Sequence, residues 1–229
     1  MRAVAPAPTV LRGRARAARH EEQFWPAQLA AAAALMLYLT LPHALIMGPK
    51  WLVPAVEGGL LLGLVFTTPT RHHMQSPRLR AMIVSLIGLV SLTTLISLVL
   101  LARFLVDGSH PRGHTLLLAG VVLWLTNVLI FGIWFWELDR GGPGRRLTPH
   151  DAQRRADFLF PQMAQPHLDP GWRPGFIDYL YTSYTNATAF SPTDTMPLTP
   201  MAKLLMATQS LTAVVTILLV VARAVNALG

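Results

Sequence analysis

Five stretches of the chain are apolar over lengths that match a bilayer. Ala81–Ala102, Thr115–Trp136 and Leu204–Ala222 carry no charge, Trp51–Thr70 carries Glu57 alone, and Ala27–Met47 is broken only by His43. A helix crossing a hydrocarbon core of ~30 Å needs roughly 20 such residues. The pattern predicts five transmembrane helices, over about 27–47, 51–70, 81–104, 115–136 and 201–224. A polar loop, 137–175, follows the fourth, and then comes a run of different character, 176–190. At 1.5 Å per residue that run covers roughly 22 Å, too little to cross. Non-helical backbone at membrane depth is tolerated only inside protein or beside a watery cavity, so a short helix, a turn and a long helix predict a re-entrant segment. The expected fold is an all-α integral membrane protein, with five transmembrane helices and one short re-entrant helix. They form one membrane domain, 27–229, behind a basic flexible arm, 1–26.

Local signals add detail. Pro42 is expected to disturb the end of the first span. The Gly59-to-Gly63 spacing predicts a close helix crossing. Gly141-Gly142-Pro143-Gly144 cannot continue a helix and predicts a turn. Trp134, Phe135 and Trp136 read as an interfacial aromatic belt.

Composition agrees with a membrane class. The chain is 52% hydrophobic and 13% charged, where soluble domains carry about a quarter charged residues. The net charge of +8 raises nucleic acid as a partner, but its placement argues against it. Arg2, Arg12, Arg14, Arg16 and Arg19 precede the first span, Arg71, Arg78 and Arg80 follow the second, and Arg140, Arg145, Arg146, Arg154, Arg155 and Arg173 follow the fourth. The other loops hold only Lys50, Arg103 and Arg112. This asymmetry sets the N-terminus in the cytoplasm of a cell inner (plasma) membrane protein. The first run begins late and exceeds a signal-peptide h-region of roughly 7–15 residues, so an uncleaved span is expected. With no cysteine, thiolate metal sites, disulfides and cysteine nucleophiles are excluded.

The candidate chemistry sits at 176–203. Asp178 lies in the first turn of the short helix, where a carboxylate complements the dipole. Tyr179, Tyr181 and Tyr184 supply packing surface, and Thr185, Asn186 and Thr188 make its far end polar. Ser191-Pro192-Thr193-Asp194 must turn, because Pro192 lacks a donor and restricts Ser191. The stretch Asp194-Thr-Met-Pro197-Leu-Thr199-Pro200-Met-Ala-Lys203 resembles the segment after the selectivity filter of two-helix potassium channels. There an aromatic pore helix, a filter and an inner helix follow one another. The resemblance implies a pore-like unit, several copies of which assemble around an axis. The family filter reads Thr-Val-Gly-Tyr-Gly-Asp, whereas Thr188–Asp194 reads Thr-Ala-Phe-Ser-Pro-Thr-Asp, one residue longer and without glycine. Potassium selectivity is therefore not implied, since glycine is what lets filter carbonyls point inward. The charge count also makes the loop enter from the cytoplasm, the reverse of those channels: either the motif is used inverted, which the charge count favours, or one apolar run does not span. The whole chain further resembles uncharacterised bacterial multi-pass membrane proteins of similar length.

The expected pathway residues are Thr185, Thr188, Ser191, Thr193 and Asp194, with Gln209 on the following helix, and the expected permeant partner is a monovalent cation. Asn127, Gln209 and Asn226 are otherwise read as interhelical hydrogen-bonding groups. Glu57, an acid deep in a span, is expected to pair with Arg223 or Arg103. Asp151, Asp157 and Asp169 read as a solvated loop face. No nucleophile–base set, metal cluster or cofactor motif is present, so an enzyme is not expected. The expected function is an ion channel-like pore formed by a homo-oligomer in the lipid bilayer; the alternative is a non-conducting membrane scaffold or sensor with a pore-derived fold.

Overall fold

The computed structural model describes residues 25–46, 49, 51, 54–59, 62, 77–106, 113–146, 154–167, 169–170, 172–188 and 194–228. Five long helices organise it: α1 (Trp25–Leu39), α2 (Pro77–Val106), α3 (Gly113–Leu138), α4 (Phe176–Thr188) and α5 (Pro200–Leu228). Residues 54–59 are also helical. The class is all-α, with one minimal antiparallel pairing, β1 (Phe158–Leu159) to β2 (Met196–Pro197), in the register Phe158↔Pro197 and Leu159↔Met196.

Three segments are long and apolar enough to cross a membrane: Arg80–Phe104, Thr115–Arg146 and Pro200–Ala222. They support a membrane protein. Helix α1 stops at Leu39, short of the expected limit at 47. Thr40 Oγ1 donates to the Leu37 carbonyl at 2.7 Å, and Pro42 two residues on has no N–H to continue the ladder. A 3-10 turn, His43–Leu45, takes its place. Most of the expected span 51–70 lies outside the described residues.

Helix α3 is the hub, packing against α1, α2, α4 and α5. Two glycines on it allow close approach. A Cβ at Gly132 would meet the Leu180 Cα of α4 at 3.2 Å, and one at Gly120 would collide with Val220 of α5. A Cβ at Gly59 would meet nothing within 4 Å, and Gly63, the other half of the expected crossing, lies outside the described residues. Small residues matter where helices touch, and the sequence spacing alone did not say where that is.

The ends of α4 and α5 are set by side chains. Asp178 Oδ2 accepts the Gly175 N–H at 2.7 Å, a carboxylate reaching back to an otherwise orphaned donor. Pro200 opens α5, and Thr199 Oγ1 accepts the Ala202 N–H at 3.3 Å. Proline is favoured at the first helical position and threonine just before it.

Candidate functional site

Helix α4 is amphipathic, and both of its faces have work. Phe176, Tyr179, Thr182, Ser183 and Ala187 are buried. Ile177, Tyr181 and Tyr184 are exposed, and half-buried Thr185 and Thr188 continue the same stripe.

Where α4 begins, four elements are tied together by Asp139 and Asp157. Asp139 is fully buried. Its Oδ2 accepts the Tyr179 hydroxyl of α4 at 2.6 Å and its Oδ1 accepts the Asp157 N–H at 2.7 Å. Asp157 accepts the Arg140 N–H at 2.9 Å and the Thr199 hydroxyl of α5 at 2.7 Å. Arg146 donates to the carbonyls of Trp136 and Asp139, at 2.7 and 2.8 Å, and so caps α3; its guanidinium also lies over the rings of Trp136 and Tyr179. A cation at a helix C-terminus offsets the partial charge of the last carbonyls. Arg140 adopts φ 53°, followed by Gly141 at 82° and Gly142 at 99°, which makes the expected turn. The reading of Asp157 as a solvated loop residue is corrected: it is half-buried and joins the loop to α5. Burial pushes the nearby Asp178 carboxyl up from its ordinary value, against the Gly175 N–H that favours the charged form.

Deeper in, a neutral network holds α4 between α3 and α5. Gln209 is fully buried. Its Nε2 donates to the Ser183 carbonyl and to Ser183 Oγ, at 2.9 and 2.6 Å. Its Oε1 accepts Asn186 Nδ2 at 2.8 Å, and Asn186 Nδ2 also donates to the Met206 carbonyl at 2.9 Å. Ser183 Oγ donates to the Val128 carbonyl of α3 at 2.7 Å. Asn127 Nδ2 reaches the Gln209 carbonyl at 3.4 Å, and Ser210 Oγ donates to the Asn186 carbonyl at 3.2 Å. The Gln209 amide is thus taken up between helices. Both amide protons and the amide oxygen have partners inside one chain.

The contacts along α3 fix the depth of α4. The helices are antiparallel: Trp136 packs on Phe176, Gly132 on Leu180, Val128 on Ser183, and Trp124 Nε1 donates to the Ala187 carbonyl at 3.3 Å. Trp124 lies about halfway along the apolar run Thr115–Trp136. Beyond 189–193, Thr195 Oγ1 accepts the Thr182 hydroxyl at 3.1 Å, and Thr199 stands at Asp157 beside the start of α4. The chain therefore travels to the middle of α3 and comes back to the end it left.

Of the expected pathway residues, Thr185 donates to the Tyr181 carbonyl at 2.9 Å and Thr188 to the Thr185 carbonyl at 2.8 Å. Bonds of this kind satisfy the hydroxyl protons and leave oxygen lone pairs on the outward face. Asp194 is exposed. Ser191 and Thr193 lie outside the described residues. Beside the exposed face of α4, an apolar groove of about 680 Å3 is lined by Met36, Leu37, Leu125, Ile177, Tyr181 and Tyr184, among others.

Glu57 is buried, at 1% exposure. Among the described residues neither carboxylate oxygen makes a formed hydrogen bond, and the Thr93 hydroxyl is the donor beside it. Arg103 is exposed and lies ten residues, about 15 Å, along α2 from Thr93, which neighbours Glu57. The expected Glu57–Arg103 pair is not formed, and the Arg223 side chain lies outside the described residues. Residues that the sequence left unassigned, Asp139, Ser183 and Thr199, hold the site together; each finds its partner far along the chain, where no local pattern reports it.

No family model, no curated protein and no solved structure matches this chain.

Proposed function

We propose that the chain is a five-span protein of the inner (plasma) membrane, with its N-terminus in the cytoplasm and α4 as a re-entrant half-helix. Several copies assemble around an axis, and the outward face of α4 with residues 189–194 frames a path for monovalent cations. The observation that supports this most is the depth of α4: it stops beside Trp124, halfway along α3, and the chain then passes Thr195, beside Thr182 in mid-helix, to Thr199, beside Asp157 near the level where α4 began. A half-helix ending in hydroxyls is the arrangement that serves an ion at the bilayer midplane. On this reading Thr185, Thr188, Ser191 and Thr193 offer oxygens in place of hydration water. Asp194 raises the local cation concentration at the mouth. Gln209 holds α4 in position without touching the path. The likeness of 176–203 to a potassium-channel pore unit points the same way.

A second reading, a non-conducting scaffold or sensor, draws on a specific observation: the Gln209–Ser183–Asn186 network is complete within one chain, so the fold stands without a conducting partner. Cation flux into liposomes holding the purified protein separates the two. The pore reading expects flux of potassium or sodium that falls several-fold in Asp194→Asn. Absence of flux under any monovalent gradient leaves the scaffold reading.

A further inference from the structure

Glu57 presents a different problem, independent of the pore reading. Its segment, 54–59, lies against α1 and α2: Gly58 faces Leu35, and Glu57 faces Tyr38 and Thr93. Thr93 Oγ1 sends its proton to the Val90 carbonyl of its own helix at 3.0 Å. Tyr38 is buried with Leu41, Leu45, Leu98 and Leu101. Among the described residues the only titratable group facing Glu57 is Tyr38. Helix α1 carries no charged residue. Arg80 of α2 lies thirteen residues before Thr93 and is held by Glu137 at 3.5 Å, and Arg103 is exposed at the other end.

A carboxylate enclosed with no more than the Thr93 and Tyr38 hydroxyls beside it carries a large solvation penalty, met by a proton, by a counter-ion or by a set of oxygen ligands. The described surroundings supply no counter-ion. For a metal ion they supply too few oxygens, two hydroxyls where a hard cation needs about six ligands. The remaining partner is a proton. We propose that Glu57 is a proton-binding site within the membrane domain, occupied when α1, residues 54–59 and α2 are packed as here. Loss of that proton leaves an unbalanced charge between α1 and α2 and loosens their packing, so the site links external pH to the arrangement of this half of the bundle.

The test is infrared difference spectroscopy of the intact protein in lipid, wild type against Glu57→Gln. The carbonyl stretch of a protonated carboxyl is expected in the wild type at neutral pH, lost in Glu57→Gln and lost reversibly in alkaline buffer. Asp139 and Glu137, buried acids with partners, stay in both samples and cancel. A spectrum showing no protonated carboxyl assignable to Glu57, as an ion pair with Arg223 would give, overturns the proposal. A hydrophobic carbodiimide gives a second readout. The Glu57 O–H adds across its C=N bond, and the O-acylisourea rearranges to a stable N-acylurea with no leaving group. Labelling at Glu57 above that at Asp139 supports the proposal. Should a protonated band persist at every accessible pH, the site does not exchange and the pH-linked role is overturned.

Discussion

Gln209 and Glu57 are side chains of the same length and shape, both wholly enclosed, and the molecule surrounds them in opposite ways. Gln209 sits where three helices present backbone carbonyls, a serine and an asparagine, and every polar atom of its amide is used. Glu57 sits beside Tyr38 and beside Thr93, whose hydroxyl also donates to its own helix, and among the described residues neither oxygen makes a formed hydrogen bond. A completed neutral network fixes a position. An enclosed acid without a partner keeps a free energy that changes with its protonation. On the readings proposed above, the α3–α4–α5 side holds a half-helix at one depth and the α1–α2 side responds.

Exchanging the chemistry of the two sites gives the sharpest contrast. Gln209→Glu removes both amide donors and turns a carboxylate toward the Ser183 carbonyl, leaving a buried charge with only the Asn186 amide to donate to it. A loss of about 4 kcal/mol is expected, read as loss of the folded fraction in detergent. Glu57→Gln, the reverse change, exchanges a protonated acid, on the proposal above, for a neutral amide of the same shape; a change within ~1 kcal/mol is expected in the same assay. If the two losses are equal, the contrast fails. Between these lies Gly132→Ala. Its Cβ meets the Leu180 backbone at 3.2 Å, so α4 must shift away from α3. Overpacking of this kind costs about 2 kcal/mol, and a thermal scan of the variant checks it.

The same contrast shows what the sequence reveals. The apolar runs 81–104, 115–136 and 201–224 were legible because a bilayer imposes a length, and they match α2, α3 and α5 to within a few residues at most ends. The short helix was legible from its length and from the breaker that follows it, Pro192. Its neighbours were not. Asp157 meets Thr199 across 42 positions, and Gln209 meets Ser183 across 26, so neither leaves a periodic trace. Gln209 read as a polar residue on a lining helix because sequence gives a face but not what covers it. Glu57 read as one half of an ion pair because charge in a span usually has a partner; its surroundings, Tyr38 and Thr93, look apolar or neutral in any pattern. The early end of α1 was half visible in Pro42, whereas the hydroxyl of Thr40 closing the last turn was not.

For α4 to frame a path as proposed, the chain must enter and leave the bilayer on one side of it. The chain has no cysteine, so single-cysteine variants report topology without a background. Arg173→Cys and Lys203→Cys flank the half-helix. In sealed inside-out and right-side-out vesicles, a membrane-impermeant maleimide is expected to label both from the cytoplasmic side alone. Labelling of the two from opposite sides would show that α4 crosses, and would contradict the half-helix and the path proposed beside it.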